Sequence, residues 1–114
     1  MGIQKFEDII AWQKSGVLVL EMYEAFSKCR DFDFRKQIQR AVVSIMNNIA
    51  EGFERKSNKE FIYFLYVAKG SCGEVRSMLY LALKLGYIQE KEFQNFYNQS
   101  VEISKILAGL IRSL

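Results

Sequence analysis

The sequence predicts an all-α protein: an antiparallel up-down-up-down four-helix bundle that forms a single domain over residues 1–114. Three observations carry that expectation. Apolar residues recur at steps of three and four along four separate stretches, the period of an amphipathic helix. The stretches are joined by polar breaks of a few residues, which suit antiparallel neighbours. No segment alternates apolar and polar residues as a half-buried strand would. With 114 residues, half of them hydrophobic and a quarter charged, the chain has the balance of a globular domain and can bury one core without staples.

The first helix is expected over residues 9 to about 28, with Asp8 as its N-cap and Lys28 and Arg30 favourably placed near its C-terminal dipole. Ile9, Trp12, Gly16, Val19, Leu20, Tyr23 and Phe26 define its predicted core face. Ile10, Val17, Leu18 and Met22 fall outside that face, so apolar surface is left over. The polar break at 30–33, Arg-Asp-Phe-Asp, leads into a second helix beginning near Asp33 or Phe34. Gly52 near its end is either a C′ glycine or a place where another backbone comes close, and the charges beyond it allow the helix to run on to Arg55.

Ser57 and Glu60 have the spacing of a capping box, which starts the third helix. It runs to about Leu85 and stops at Gly86, with Tyr87 and Ile88 available for an apolar contact after the turn. Phe61, Phe64, Leu65, Ala68, Cys72, Val75, Leu79, Ala82 and Leu83 form one continuous stripe. Nearly opposite lies a second: Tyr63, Val67, Gly70, Met78, Leu81 and Leu85, interrupted by Glu74. A helix apolar on two faces is buried on both. One small bundle covers only one of them, which assigns Tyr63, Val67, Gly70, Met78 and Leu81 to contact with a second subunit. The fourth helix covers about Glu90 to Leu114, its core face made by Phe93, Phe96, Tyr97, Ser100, Ile103, Ser104, Leu107, Leu110 and Ile111.

The second helix is the least ordinary. Ile38, Ala41, Val42, Ile45, Ile49 and Phe53 make its core stripe, while Arg40, Ser44, Asn48, Glu51 and Arg55 form a polar line spanning about 80°. Two roles suit that line. One is an assembly surface or buried hydrogen-bond network joining Arg40, Ser44, Asn48, Glu51, Arg55 and Glu74. The other is a binding surface for phosphate or a partner chain. Its mixed charge favours the network. Basic residues bunch at both ends of the helix, Arg35, Lys36 and Arg40 at the start and Arg55, Lys56 and Lys59 at the end. These are either solvated ends or sites for a polyanion.

Several functions are disfavoured by composition. There is no histidine, so the commonest general base and metal ligand is missing. A Ser or Cys nucleophile would lack its usual base, and the Glu-x-x-His pairs of a di-iron bundle are absent. Glu51 and Glu74 can meet between the second and third helices, where arginines would pair with them. The Gly70-Ser-Cys-Gly73 run lies within a helix and cradles no phosphate. No enzyme activity, cofactor or metal is therefore expected. Cys29 and Cys72 read as reduced thiols of a cytoplasmic protein. No apolar run is long enough for a membrane span, and the N-terminal residues suit neither a signal peptide nor a myristoylation site. A net charge of +3 is milder than a dedicated nucleic-acid domain carries.

The stretches Phe6-Glu-Asp-Ile-Ile-Ala-Trp-Gln-Lys14, Gln39-Arg-Ala-Val-Val-Ser-Ile-Met-Asn-Asn-Ile-Ala-Glu-Gly52, Phe64-Leu-Tyr-Val-Ala-Lys-Gly-Ser71 and Leu107-Ala-Gly-Leu-Ile-Arg-Ser-Leu114 resemble the four-helix-bundle family of 23S ribosomal RNA intervening-sequence proteins. The most specific block is Ser-Ile-x-x-Asn-Ile-Ala-Glu-Gly. The resemblance implies a homopentameric ring of antiparallel four-helix bundles. Some relatives are encoded within insertions in ribosomal RNA genes. Others are similar to the accessory variability determinant of diversity-generating retroelements, a basic pentamer that binds a reverse transcriptase and nucleic acid. RNA or a reverse transcriptase are thus the partners implied beside the chain itself. Five copies at +3 apiece carry +15, enough for salt-sensitive attraction to a polyanion. A protein-interaction scaffold without nucleic-acid binding is the rival reading. Two positions depart from the family pattern. Met46 replaces the Pro that follows Ser-Ile, and Lys69 replaces the Arg of Ala-Arg-Gly-Ser, keeping the charge without the bidentate fork. The modest charge counts against the retroelement accessory assignment in particular.

Overall fold

The structure, a computed structural model, describes residues 2–114. Met1, which opens the N-terminal stretch considered above, lies outside them. A short 3-10 turn at Phe6–Asp8 precedes four helices: α1 Ile10–Ala25, α2 Phe32–Phe53, α3 Asn58–Lys84 and α4 Glu90–Ser113. Each helix packs on the next and α4 returns to α1. Among the described residues no Cα of α1 lies within 8 Å of one in α3, and none of α2 within 8 Å of one in α4. The helices therefore stand at the corners of a square, and the short connections make successive ones antiparallel. The expected four-helix bundle is formed, 46 × 22 × 19 Å in extent.

Local chemistry sets the helix ends. Asp31 caps α2, its carboxylate accepting the Phe34 N–H at 3.2 Å, so the helix begins at Phe32, just before the expected start at Asp33 or Phe34. Ser57 caps α3 by accepting the Glu60 N–H at 3.2 Å. At the far end of α3, Gly86 adopts φ +77°. The Tyr87 N–H donates to Ala82 O at 2.9 Å and the Gly86 N–H to Leu83 O at 3.1 Å, the paired bonds of a Schellman stop. Ile88 is buried just beyond it. Glu92 reaches back to the Gln89 N–H at 3.0 Å and secures the start of α4. Asp8 is not a cap. It closes the 3-10 turn, and Ile9 begins α1 without a side-chain bond. Lys28 and Arg30 lie beyond the end of α1 at Ala25.

The tightest seam joins α2 to α3. A Cβ placed on Gly52 would lie 2.6 Å from Phe64 Cβ and 3.3 Å from Phe61 O, so only glycine fits. Gly52 lies inside α2, not after it, and of its two predicted roles close approach is the one observed. At one end of the bundle Tyr87 closes the two turns together. Its hydroxyl donates to Asp31 Oδ2 at 2.6 Å, and its ring meets Phe34 edge-on with centroids 5.2 Å apart.

The predicted core face of α1 needs correction. Its buried line is Ala11, Ser15, Leu18, Met22 and Phe26, whereas Leu20 is 73% exposed and Tyr23 is also exposed. Trp12, Gly16 and Val19 are half-buried at the edge. Two residues hid this register. Ser15 is polar by composition, yet its hydroxyl donates to Ala11 O at 2.6 Å, which satisfies it in the core. Ala11 is small enough to be overlooked between larger residues. On α3 the buried line also takes in Ser71 and Met78, while Phe64 and Leu83 are half-buried. The predicted stripes of α2 and α4 supply the core as expected, with Tyr97, Ser104, Leu110 and Ile111 half-buried at its margin. Helix α2 runs unbroken through Met46, whose methyl group would lie 3.9 Å from a Cβ on Gly16 of α1.

Candidate functional site

The polar line of α2 follows the groove it shares with α3. Its centre is a chain of hydroxyls. Ser71 Oγ donates to Val67 O at 3.2 Å and lies 2.7 Å from Ser44 Oγ, which makes Ser44 the donor between them. Asn48 Nδ2 donates to Ser44 O at 2.8 Å and to Ser44 Oγ at 3.1 Å. These groups are half-buried or buried. Towards the α2–α3 turn, Arg55 donates to Glu51 Oε2 at 2.7 Å, approaches Glu60 at 4.0 Å and covers the Phe64 ring at 4.8 Å.

Within one protomer, then, the six predicted residues do not make a single buried network. Arg40, Glu51, Arg55 and Glu74 are all exposed. Glu51 sits with Arg55, while Glu74 lines a cleft of about 450 Å³ with Asp33, Lys36, Gln37, Arg40 and Ser44. The two glutamates do not meet. Across the seam Ser44 faces Ser71 and Gly52 faces Phe64, and the longer side chains are left exposed at the groove's mouth.

The six basic candidates divide by whether their charge is already engaged. Arg35 donates to Ser27 O at 3.0 Å and lies over the Phe32 ring, and Arg55 is held as described. Lys36, Arg40, Lys56 and Lys59 are exposed and make no hydrogen bond or ion pair among the described residues. Lys36 and Arg40 share their cleft with Asp33 and Glu74. Lys56 lies in the α2–α3 turn and Lys59 in the first turn of α3. From Lys36 to the end of α2 at Phe53 the helix rises about 25 Å, so the two groups lie towards opposite ends of the bundle. Lys69 and Arg76 contribute at neither end. They reach across to α4, donating to Ser104 Oγ at 3.4 Å and Ser100 Oγ at 3.2 Å.

The second apolar stripe of α3 points away from the core. Tyr63 is 62% exposed, Leu81 and Leu85 about half, and Gly70 stands in open space. Val67 is half-buried. Met78 departs from this set: at 8% exposure it belongs to the bundle's own core, because its position turns towards the α2 seam that Ser71 also occupies. Tyr66, three residues from Tyr63 and 58% exposed, joins the outer face. Its i, i+3 spacing was the available signal for it. On α1, Ile10, Val17 and Leu20 are exposed as well.

No group of three or more His, Cys, Asp or Glu residues among those described could hold a metal. Among the described residues no helix is long and apolar enough to cross a membrane. The geometry is that of a small four-helix bundle with large apolar side chains exposed on α1 and α3, and with cations near both ends that make no ion pair among the described residues. The family model for 23S rRNA-intervening sequence proteins matches residues 7–109, and the chain belongs to that family. Among solved structures it is similar to a protein of unknown function from the S23 ribosomal protein family of Bacteroides thetaiotaomicron. The two share 28% sequence identity with a TM-score of 0.84, over 90% of this chain and 98% of that one. No curated protein matches the chain.

Proposed function

We propose that the protein is a non-enzymatic, cytoplasmic homo-oligomer, a pentameric ring of bundles, whose basic ends bind structured RNA or an enzyme that works on it. The observation that carries this reading is the apolar surface left uncovered on α1 and α3, with Leu20 73% and Tyr63 62% exposed. Large contiguous apolar patches on a water-soluble bundle mark interaction surfaces. Assembly multiplies the unpaired Lys56 and Lys59, and a charge of +3 per chain becomes a multivalent field. Membership in a family named for the 23S rRNA intervening sequence supports RNA as the polyanion. A reverse transcriptase is a weaker candidate, because the chain is only mildly basic.

Charge reversal tests the nucleic-acid half. Lys36→Glu with Lys56→Glu, both at exposed positions without an ion pair among the described residues, should leave the assembled mass unchanged. It should weaken binding to structured RNA at least tenfold at low salt and lower the salt slope by about one per lost phosphate contact. The rival reading, a protein scaffold without RNA binding, draws on the anions that neutralise Arg55 and share the Lys36–Arg40 cleft. It predicts that wild type shows no RNA affinity even at low salt.

A further inference from the structure

Two cations on the flank of the bundle have no anion of their own. Lys69 and Arg76 are half-buried in the groove between α3 and α4. Among the described residues each donates only to a neutral hydroxyl, Ser104 Oγ at 3.4 Å and Ser100 Oγ at 3.2 Å. A cation that gives up part of its hydration is stabilised far better by an anion than by a serine. The carboxylates of both helices are engaged elsewhere. Glu60 lies with Ser57 and Arg55, and Glu74 lines the cleft against α2. Glu90 accepts from Gln94, Glu92 from the Gln89 N–H, and Glu102 pairs with Lys14.

The space between the two charges is open. Ser100 and Ser104 stand one turn apart on α4, about 6 Å along its axis, and hold the two cationic heads at that order of separation. Gly73 is the residue of α3 between them, and a Cβ there would meet only the end of Arg76, at 3.9 Å. Glycine weakens a helix interior relative to alanine, and its effect here is a gap with no side chain between the charges. A phosphate group accepting from both sides, at about 2.8 Å per hydrogen bond, fits that gap. It offers the Arg76 fork two oxygens and leaves a third for Lys69. The Ser104 hydroxyl, which donates to nothing among the described residues, is a further donor.

One turn along α3 from Arg76 stands Tyr80, 49% exposed. Phe93 and Tyr97 hold its ring, with centroids 5.0 Å and 5.5 Å away, so a fixed aromatic surface lies beside the charges. Lys69, Gly73, Arg76 and Tyr80 follow steps of four, three and four and share one strip of the helix. That strip is turned about 120° from Tyr63 and Leu81, the apolar side chains assigned to contact between copies.

We infer that this strip binds a nucleoside phosphate, with its phosphate between Lys69 and Arg76 and its base stacked on Tyr80. The site goes beyond the RNA reading above: it lies on the flank, away from the basic ends, and needs no assembly. A phosphate with a base beside it is the chemistry of a free nucleotide and of a nucleotide within a single strand alike.

Equilibrium dialysis of adenosine 5′-monophosphate against the full chain at low salt tests this. Wild type should bind it at one site per chain. Lys69→Gln and Arg76→Gln should each weaken binding about tenfold or more, the worth of a hydrogen bond to a charged group. Gly73→Leu fills the gap without removing a charge, at a position with room for a side chain, and should abolish binding with the far-UV circular dichroism unchanged. Tyr80→Ala should weaken binding of the monophosphate roughly fivefold or more and leave binding of inorganic phosphate unaltered. Competition by a short single-stranded RNA without a terminal phosphate assigns the site to a strand, and no competition assigns it to a free nucleotide. Adenosine binding as tightly as its monophosphate, a wild type that binds neither the monophosphate nor phosphate, or Gly73→Leu binding like wild type would each overturn the inference. A wild type that binds the monophosphate but no structured RNA removes the RNA reading alone. One that binds structured RNA but neither the monophosphate nor phosphate removes this site alone.

Discussion

The hydroxyl oxygens of Ser44 and Ser71 lie 2.7 Å apart across the seam between α2 and α3. Ser71 spends its proton on Val67 O, so Ser44 is the donor in this pair, and Asn48 donates in turn to Ser44. The chain of bonds has one direction and leaves no buried side-chain polar atom unpartnered among the described residues. Ser44→Ala should cost about 1 kcal/mol of stability, the usual net worth of such a bond. A double-mutant cycle with Ser71→Ala, followed by denaturant unfolding, should return a coupling of about 0.5–1.5 kcal/mol. Additive effects would mean that the two hydroxyls act independently.

Gly52→Ala should destabilise the bundle even though alanine is the better helix former. Propensity favours the change by about 1 kcal/mol. The new Cβ, however, would lie 2.6 Å from Phe64 Cβ, and separating the two helices costs about 1–3 kcal/mol as overpacking. Urea unfolding should therefore show a lowered midpoint, and a raised one would contradict the close approach described here.

These two sites show what the residues disclose by themselves. The bundle, its caps at Ser57 and Gly86, and the stripes of α2 and α4 were legible because each is a local pattern. The register of α1 was not. Ser15 is counted as polar by composition, and the Ala11 O that satisfies it becomes visible only in three dimensions. The polar line of α2 was visible as a line, but its division into a hydroxyl chain and a surface ion cluster depends on how closely α3 approaches at each level. Met78 was misplaced for the same reason. Period alone put it on the outer stripe, while the packing of α2 draws it into the core.

The two cysteines should differ in reactivity. Burial pushes the Cys72 thiol up to about 11, partly countered by the nearby Arg76, and its side chain is fully enclosed. Cys29 is half-buried at the turn after α1. A thiol reagent at pH 8 should titrate one cysteine in the native protein and both in denaturant. Equal rates for both in the native state would contradict the packing around Cys72.

The Asp31–Tyr87 bond should make stability depend on pH at both extremes. The Tyr87 hydroxyl, and then the Phe34 N–H, hold the Asp31 carboxyl below its ordinary value. The same bond to Asp31 raises the Tyr87 phenol to about 12. A raised folded-state value means that the Tyr87 contribution is complete below about pH 10, the ordinary tyrosine value, and is lost as pH rises through 12. The lowered Asp31 value means that its contribution is present above about pH 3.9 and fades as pH falls further. Tyr87→Phe should lower the thermal midpoint by a constant amount near neutrality, with the gap closing above pH 10 and below pH 4. A gap that persists unchanged to both extremes would rule out the bond as its source.

The central claim is that the faces bearing Leu20 and Tyr63 are uncovered in the protomer because other copies cover them. Multi-angle light scattering of the wild-type protein at micromolar concentration tests this most directly. A mass several times 13.3 kDa, fivefold for the pentameric ring, is the predicted result. A single species at 13.3 kDa would contradict it.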